Sequence, residues 1–519
     1  VNVSVDDRQH RPEQEDENDQ IANRRRKLDE LRAQGADPFL IERYERTHTT
    51  AQVVDEHAPH WQMEETERRA LSVSTAGRLT AMRGKGKVIF ADLRDEAGRV
   101  QVYIKRDDVG EEAFKLFKDL DLGDYVGVCG FPFHTSTGEP SIHVLSFTLL
   151  AKSLRPVPFG KQDDQGNVYG GLADKEERYR HRYLDLLANP ESRETLTKRS
   201  KIVSSMRRFL EGRGFLEVET PVLQLVAGGA SARPFMTHHN ALDYDFKLRI
   251  SLELYLKRLI IGGYEKVFEI GRVFRNEGVD TRHNPEFTLM ELYQAYANLE
   301  DIMELVEAMY ETIGHDVNGT PTFPYQGETV DLAARPWRRL PMLEGIRQYS
   351  GIAPEELVTL ETAKAACRRI SAPIDLDQEN LLGGLIEKLH EHYTQPNLIQ
   401  PTFITDFPVE TSPLAKKRPD NPQLTRRFEI YAATQELGNA FSEINDPIDQ
   451  RDRFEGQVSQ RAAGDDEAHP MDEEFLRAME YGMPPTGGLG VGIDRLAIVL
   501  SGAQGIRDVM LFPLMRPEK

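Results

Sequence analysis

The sequence predicts a multidomain α+β protein, in which a small N-terminal β-barrel is followed by a large antiparallel sheet flanked by helices. The first observation is length: 519 residues, enough for about three units at roughly 150 residues each. The second is a run of five short alternating strands between residue 70 and about residue 150, separated by Gly, Asp and Lys turns. The third is the long remainder, where helices alternate with contiguous strand segments joined by hairpin-like loops, without a Rossmann fingerprint and without an internal repeat.

The polar, acid-rich stretch VNVSVDDRQHRPEQEDENDQ cannot offset its ordering entropy and is expected to be disordered. It has no apolar core of a signal peptide, and no apolar run approaches the roughly 20 residues that cross a bilayer, so no membrane association and a cytoplasmic location are expected. Ile21 to Gly35 reads as a helix with Ile21, Leu28 and Leu31 apolar and Arg24, Arg25, Arg26 and Lys27 basic. That face is either simply solvated or a grip for RNA. With 65 Lys and Arg against 85 Asp and Glu, the net charge of −20 opposes indiscriminate polyanion binding, so any nucleic-acid contact must be local. Residues 1–69 are thus a tail and a basic helical extension.

The strands VSTAGRLTAMR, KVIFADLRDE, RVQVYIKRD, DYVGVCGFPFH and PSIHVLSFTLL, with the helical EEAFKLFKDL between the third and fourth, suggest a Greek-key barrel of the OB type over residues 70–153. Such barrels commonly bind oligonucleotides. Spacing alone favours Phe90 as core and Gln101 as surface; the sharper alternative has Phe90 stacking on a base and Gln101 reading its edge. Residues 154–185, with Pro156, Pro158 and several glycines, read as a linker, and 186–519 as one long unit of helices and strands. Cys129 and Cys367 exclude a disulfide framework or a Cys-based zinc site and are expected to be buried, inert thiols. The pairs His238 with His239 and His390 with His392 lack convincing metal partners and read as structural.

Three clusters in the second unit carry chemistry. In VFEIGRVFRNEG, strand alternation points Arg275 and Glu277 together, and on the strand after the polar loop it does the same for Phe287, Glu291 and Tyr293. An arginine fork suits a phosphate, a carboxylate accepts from an exocyclic amine, and a ring stacks on a purine; a surface ion-pair ladder is the bland alternative. In GGLGVGIDR, the glycines let a backbone approach a ligand and Arg495 follows on the first turn of a helix, although a hairpin turn explains the same glycines. In FEIYAATQELGNAFSEI, Asn439, Phe441 and Glu443 alternate on one face, which fits a small cationic ligand. Glu429 and Glu436 flank a turn where they could meet over Mg²⁺ or remain solvated acids. Glu436 has the wrong parity to share the face of Asn439, so a bulge near Gly438 is required.

Taken together, these segments resemble the class II aminoacyl-tRNA synthetases, and within them the bacterial-type lysyl enzymes, from about Leu71 to Pro513. GFLEVETPVL resembles the family's motif 1, FRNEG with RHNPEFTLMELY its motif 2, and GLGVGIDR its motif 3. GGASARPFMTHHNALD and RRFEIYAATQELGNAFSEIND are more specific still. The resemblance implies a class II synthetase sheet and a lysine-tRNA ligase that makes lysyl-adenylate from L-lysine and ATP, then lysyl-tRNA(Lys), as a homodimer using up to three Mg²⁺ per site.

By position, the resemblance implies that Arg275 and Arg495 are catalytic. ATP would be held by Arg275, Asn276, Glu277, Arg282, His283, Asn284, Phe287, Glu436, Leu437, Gly492 and Arg495. Lysine would be held by Gly229, Glu253, Glu291, Tyr293, Asn439, Phe441 and Glu443, Mg²⁺ by Glu429 and Glu436, and the anticodon by Arg83, Phe90, Gln101 and Glu139. The acidic set Glu253, Glu291 and Glu443 favours lysine over aspartate or asparagine, because a desolvated ammonium needs carboxylate partners. The chain departs from many relatives at Val226-Ala227, in place of Ile-Pro, and at Ser251-Leu252, in place of Ala-Pro.

Overall fold

The computed structural model describes residues 11–57, 63–162, 168–278, 280–462 and 468–518. The chain divides into two units, the first Val1–Arg178 with Tyr183–Ala188 and the second Tyr179–Arg182 with Asn189–Lys519. The expected linker is therefore not a simple spacer: it carries a two-stranded ribbon, Phe159–Gln162 with Val168–Gly171, and the helix Lys175–Arg180.

In the first unit the five expected strands close into a barrel. They are Val73–Lys85, Val88–Arg94, Arg99–Lys105, Tyr125–His134 and Pro140–Ala151. The third and fifth pair in parallel, the mark of a Greek-key closure, and the helix Glu111–Lys118 lies between the third and fourth as expected. Ile89, Ala91 and Leu93 fill the interior with Val100, Val102 and Ile104. Phe90 has the opposite parity, which overturns its reading as core: its ring lies outside, 5.2 Å from Tyr103. Gln101 is not the surface residue that spacing suggested, because Ser141 Oγ donates to its Oε1 at 3.0 Å and leaves it buried.

The N-terminal helix runs from Arg11 to Ala33, so it begins inside the stretch expected to be disordered; residues 1–10 of that stretch lie outside the described residues. Its basic cluster is not one open face. Arg24 is buried, donating to the carbonyls of Leu122, Ser153 and Arg155, and Lys27 pairs with Asp121 at 2.8 Å. Arg25 and Arg26 stay exposed. Arg24 and Lys27 thus fasten the helix to the barrel and are spent for any RNA. Cys129 is half-buried beside Tyr44, whereas Cys367 is buried as expected.

The second unit is built on an eight-stranded sheet. Its order runs Arg338–Pro341, Thr402–Thr405, Arg427–Ala432, Gln435–Ser442, Thr486–Gly492, Glu286–Ala295, Lys266–Phe274, Leu216–Glu217. The interior pairs are antiparallel as expected, while the outermost pair at each edge is parallel. One face is apolar: Leu292, Leu489 and Ala440 align across three strands and meet Ile302, Val306 and Tyr310 of the helix Leu299–Asn318. That helix starts with a capping box between Asn298 and Asp301 and stops at Gly319 in the left-handed region. With one face sealed by helices, the opposite face is left to carry the site. No helix among the described residues is long and apolar enough to cross a membrane.

Candidate active site

Period-two alternation sends every other side chain of three neighbouring strands to the open face, and their register lines them up. Glu291, Gly490 and Asn439 form one row across the sheet, and Tyr293, Gly488 and Phe441 the next. The central strand carries glycine at both positions, so the floor is bare backbone between two walls of side chains. A cavity of about 720 Å³ opens there. It is lined by all the expected ATP and lysine residues except Asn276, whose side chain is exposed outside it while its N–H donates to Arg233 O. The strand ends at Phe274, so Arg275 to Gly278 are irregular chain and alternation no longer predicts where they point.

At one end the cavity is acidic. Glu443 is fully buried. Lys257 Nζ forms an ion pair with Glu443 Oε2 and with Glu253. Burial, opposed by Lys257 and reinforced by Glu253 and Glu291, pushes Glu443 up to about 8. Glu291 is pushed to about 7 by burial and by Glu253. It accepts from Ser251 Oγ and from Leu252 N–H, each at 3.0 Å, and from Tyr293 OH at 3.2 Å. Ser251 Oγ also accepts from Glu253 N at 3.0 Å. The two positions where the chain departs from Ala-Pro thus supply a hydroxyl and an N–H that alanine and proline lack. Gly229 sits at φ +90, where a Cβ would come within 2.7 Å of Ser251 Oγ.

At the other end arginines face carboxylates. Arg495 is on the first turn of the helix Ile493–Ser501, as expected, and donates to Glu436 Oε2 at 2.7 Å. Burial alone would raise Glu436, but Arg495 with Arg427 and Arg275 holds it below the usual range. Arg275 lies 5.0 Å from the Phe287 ring. Asp280 orders the loop before Phe287, accepting from the N–H groups of Arg282 and His283. Asn284 is buried and spends its amide on Glu286 O and Leu514 N.

The required bulge is present: Ile430 pairs with Gly438 but Tyr431 pairs with Glu436, leaving Leu437 as the extra residue. It brings Glu436 onto the cavity face. The turn joining the strands places Ala433 and Thr434 at φ 51 and 60, the twist that a two-residue hairpin needs. Glu429, by contrast, does not line the cavity. Arg427 donates to its Oε1 at 2.6 Å and Tyr431 OH to its Oε2 at 2.7 Å. Burial and the charge of Glu436 push Glu429 to about 7, so the two carboxylates do feel each other. No group of three His, Cys, Asp or Glu placed to hold a metal occurs among the described residues. His238 pairs with Asp245, and His390 stacks edge-on against Tyr431, in keeping with structural roles.

Sequence reading missed Lys257, Arg427 and His469. Arg427 bridges Glu429 and Asn439, and its position two residues before Glu429 on the same strand face was the available signal. His469 is buried at the cavity wall with no partner for Nδ1, held near 4 by burial and by Lys257. On the barrel, Phe90 belongs to an outer aromatic group with Tyr103, Phe133 and His143, none of which alternation alone singled out. Arg83 is exposed and opposite Phe90 in register, and Glu139 pairs with Arg99 at 2.8 Å.

Residues 174–516 match the family of class II tRNA synthetases (D, K and N), and residues 73–150 match the OB-fold nucleic acid binding domain. The lysine–tRNA ligase of Bacillus subtilis (strain 168) is 51% identical over 502 residues, 97% of this chain and 98% of that protein. The lysine–tRNA ligase of Pelotomaculum thermopropionicum is 49% identical over 506 residues, 98% of this chain and 96% of that protein. The arginine-rimmed cavity on the open face of an antiparallel sheet agrees with both matches, and the chain belongs to the class II tRNA synthetases.

Proposed function

We propose that the chain is a lysine–tRNA ligase, which activates L-lysine with ATP and passes it to the terminal adenosine of tRNA(Lys), releasing pyrophosphate and AMP. The observation that carries this reading is Glu443, a fully buried carboxylate set in a cavity beside Glu253 and Glu291, three acids that share a single resident ammonium, that of Lys257. Three buried carboxylates against one resident ammonium leave negative charge uncompensated, which is costly, and an ammonium entering the cavity would offset it. In this reading Glu443 and Tyr293 take the ε-ammonium, Gly229 and Glu253 the α-amino group, and Asn439 the carboxylate, with Phe441 and Glu291 completing the pocket.

The nucleophile, the lysine carboxylate, is already ionised and needs no protein base. It attacks the α-phosphorus of ATP in line, and pyrophosphate leaves. Arg275 stabilises charge at the α-phosphate, Arg282 and Arg495 hold the far end of the triphosphate, and Glu277, His283 and Phe287 frame the adenine. A ribose hydroxyl of the tRNA then attacks the adenylate carbonyl and AMP leaves.

Glu436 faces the cavity and would share Mg²⁺ with phosphate oxygens, and Glu429, whose charge repels that of Glu436, would join it on release from Arg427 and Tyr431; the ion would neutralise triphosphate charge. Arg495 would exchange Glu436 for phosphate as the nucleotide enters. The outer aromatics of the barrel, with Arg83, Phe90, Gln101 and Glu139, form the anticodon face in this reading. Exposed Leu216, Val222, Leu223, Leu225 and Met236 support a homodimer surface along the motif 1 segment. A cytoplasmic location goes with these substrates. The test is ATP–pyrophosphate exchange with each standard amino acid in turn, then charging of total tRNA. Exchange driven by lysine and charging of tRNA(Lys) support the reading; exchange driven by another amino acid alone overturns it.

A further inference from the structure

Three buried carboxylates, Glu253, Glu291 and Glu443, share one end of the cavity, and one resident cation stands among them. Lys257 is fully buried on the helix Glu253–Ile261, one turn after Glu253, so helix geometry aims its ammonium along the same face as that carboxylate. It pairs with Glu253 from its own helix and with Glu443 from the strand region after Gln435–Ser442. The ring of Tyr293 lies 5.9 Å from Nζ. His469 is close enough for the Lys257 charge to disfavour its protonation, and Glu291 acts on Glu253 and Glu443 from the Glu286–Ala295 strand. Lys257 is absent from the cavity lining, so it stands behind the carboxylates and leaves the space in front of them open.

We propose that Lys257 is a positioning residue that sets the charge of the amino-acid pocket: it cancels one of three carboxylates and leaves two for the two ammoniums of a diamino acid. The inference rests on the lysine reading above. Without a resident cation, Glu253 and Glu443 repel in a buried site and one of them takes a proton, becoming a poor ammonium ligand. Lys257 between them opposes that protonation and brings both carboxyls closer to the ionised form that an ammonium needs. A second consequence concerns selectivity: an amino acid with one ammonium leaves a buried carboxylate unmatched and is rejected by charge as well as by shape.

The test uses the full-length protein in lysine-dependent ATP–pyrophosphate exchange between pH 6 and 9. Lys257→Met keeps the length of the side chain and removes the charge. The expected result is a lysine KM raised about tenfold or more, an ATP KM within about threefold of the parent, and a KM profile displaced to higher pH. An unchanged lysine KM with an unchanged pH profile overturns the inference. So does an equal rise in the KM for lysine and ATP with no displacement of the profile, which marks a purely structural role. If Lys257→Met does not fold, Lys257→Met/Glu253→Gln, which removes both members of one buried pair, is compared with Glu253→Gln alone. A higher lysine KM and a displaced profile in the double variant support the inference, and identical behaviour overturns it. Parent protein that activates lysine while the variants behave like it refutes Lys257 alone; parent protein that fails to activate lysine refutes the pocket assignment itself.

Discussion

Gly488 lies directly beneath Glu443: a Cβ at Gly488 would stand 1.9 Å from Glu443 Oε1 and 2.6 Å from Tyr293 Cε1. The glycine is therefore a requirement of the carboxylate above it, and even a methyl group must evict Glu443 or Tyr293. Gly488→Ala is expected to raise the lysine KM by about 100-fold, in line with losing a buried charge-assisted contact, while the ATP affinity stays near the parent value. Titrating pyrophosphate exchange with each substrate checks this. A parent-like lysine KM would remove Glu443 from the amino-acid site.

The raised carboxyls give the pocket a pH dependence with a definite sign. Glu443 near 8 and Glu291 near 7 hold protons in the free enzyme, and each must release its proton before it pairs with an ammonium. Lysine affinity is thus expected to fall as pH drops through 8 and then 7, by up to about tenfold per unit for each group. Stability runs the other way. Both groups are raised in the folded state, so their contribution is fully present below the ordinary carboxyl value of 4.5 and is lost as pH rises through 7 and 8. Thermal unfolding with and without lysine should therefore show a larger ligand-induced rise in Tm at pH 8.5 than at pH 6. Equal shifts would mean that these carboxyls do not meet the ligand.

Ser251 joins two pocket acids, donating to Glu291 and accepting from the N–H of Glu253. Ser251→Ala leaves that N–H without its partner and removes one of three donors from Glu291. The lysine KM is expected to rise about fivefold to thirtyfold, the range that one to two kcal/mol implies. Its pH midpoint should move upward because Glu291 holds its proton more tightly. The same exchange assay across pH reads both effects, and a change in kcat alone would sink the assignment.

Arg275 is tested by its complement. Its guanidinium stands over Phe287 in the cavity lining. Arg275→Ala is expected to reduce adenylate formation by about three orders of magnitude, the scale of a lost transition-state charge contact. Lysine-induced thermal stabilisation should survive, because the acidic end is untouched. Normal exchange in this variant would refute the role given to Arg275.

Much of the site was legible because strand alternation is a strict rule. Glu291 with Tyr293, and Asn439 with Phe441 and Glu443, follow from period two, and the wrong parity of Glu436 required the bulge at Leu437. Legibility ended where the chain left regular structure. Asn276 falls after the strand end and does not line the cavity. Glu429 keeps its strand face but is captured by Arg427, a competition that spacing does not rank. Lys257 and Ser251 have roles only because a helix start, a strand and a loop distant in sequence converge. Arg24 and Lys27 were misjudged for the same reason, since carbonyls at Leu122 and Ser153 and the Asp121 carboxylate claim them. Phe90 shows the limit of spacing: it favoured core, while the register of the barrel turned the ring outward.

That outward ring carries the last prediction. Phe90 adjoins Tyr103, which in turn meets Phe133 and His143, so the outer face of the barrel offers a continuous set of rings on which unstacked bases can lie. Base stacking on one aromatic is worth about 1–3 kcal/mol, so Phe90→Ala is expected to raise the tRNA KM in charging by about fivefold to a hundredfold. Lysine-dependent pyrophosphate exchange without tRNA should be unchanged, because the ring belongs to the other compact unit and is not part of the cavity lining. Tyr103→Ala should act in the same direction, and the pair should be less than additive if both rings support the same bases. Loss of exchange in step with charging would instead mean that Phe90 supports the fold, and charging that matches the parent at limiting tRNA would take the anticodon away from this face.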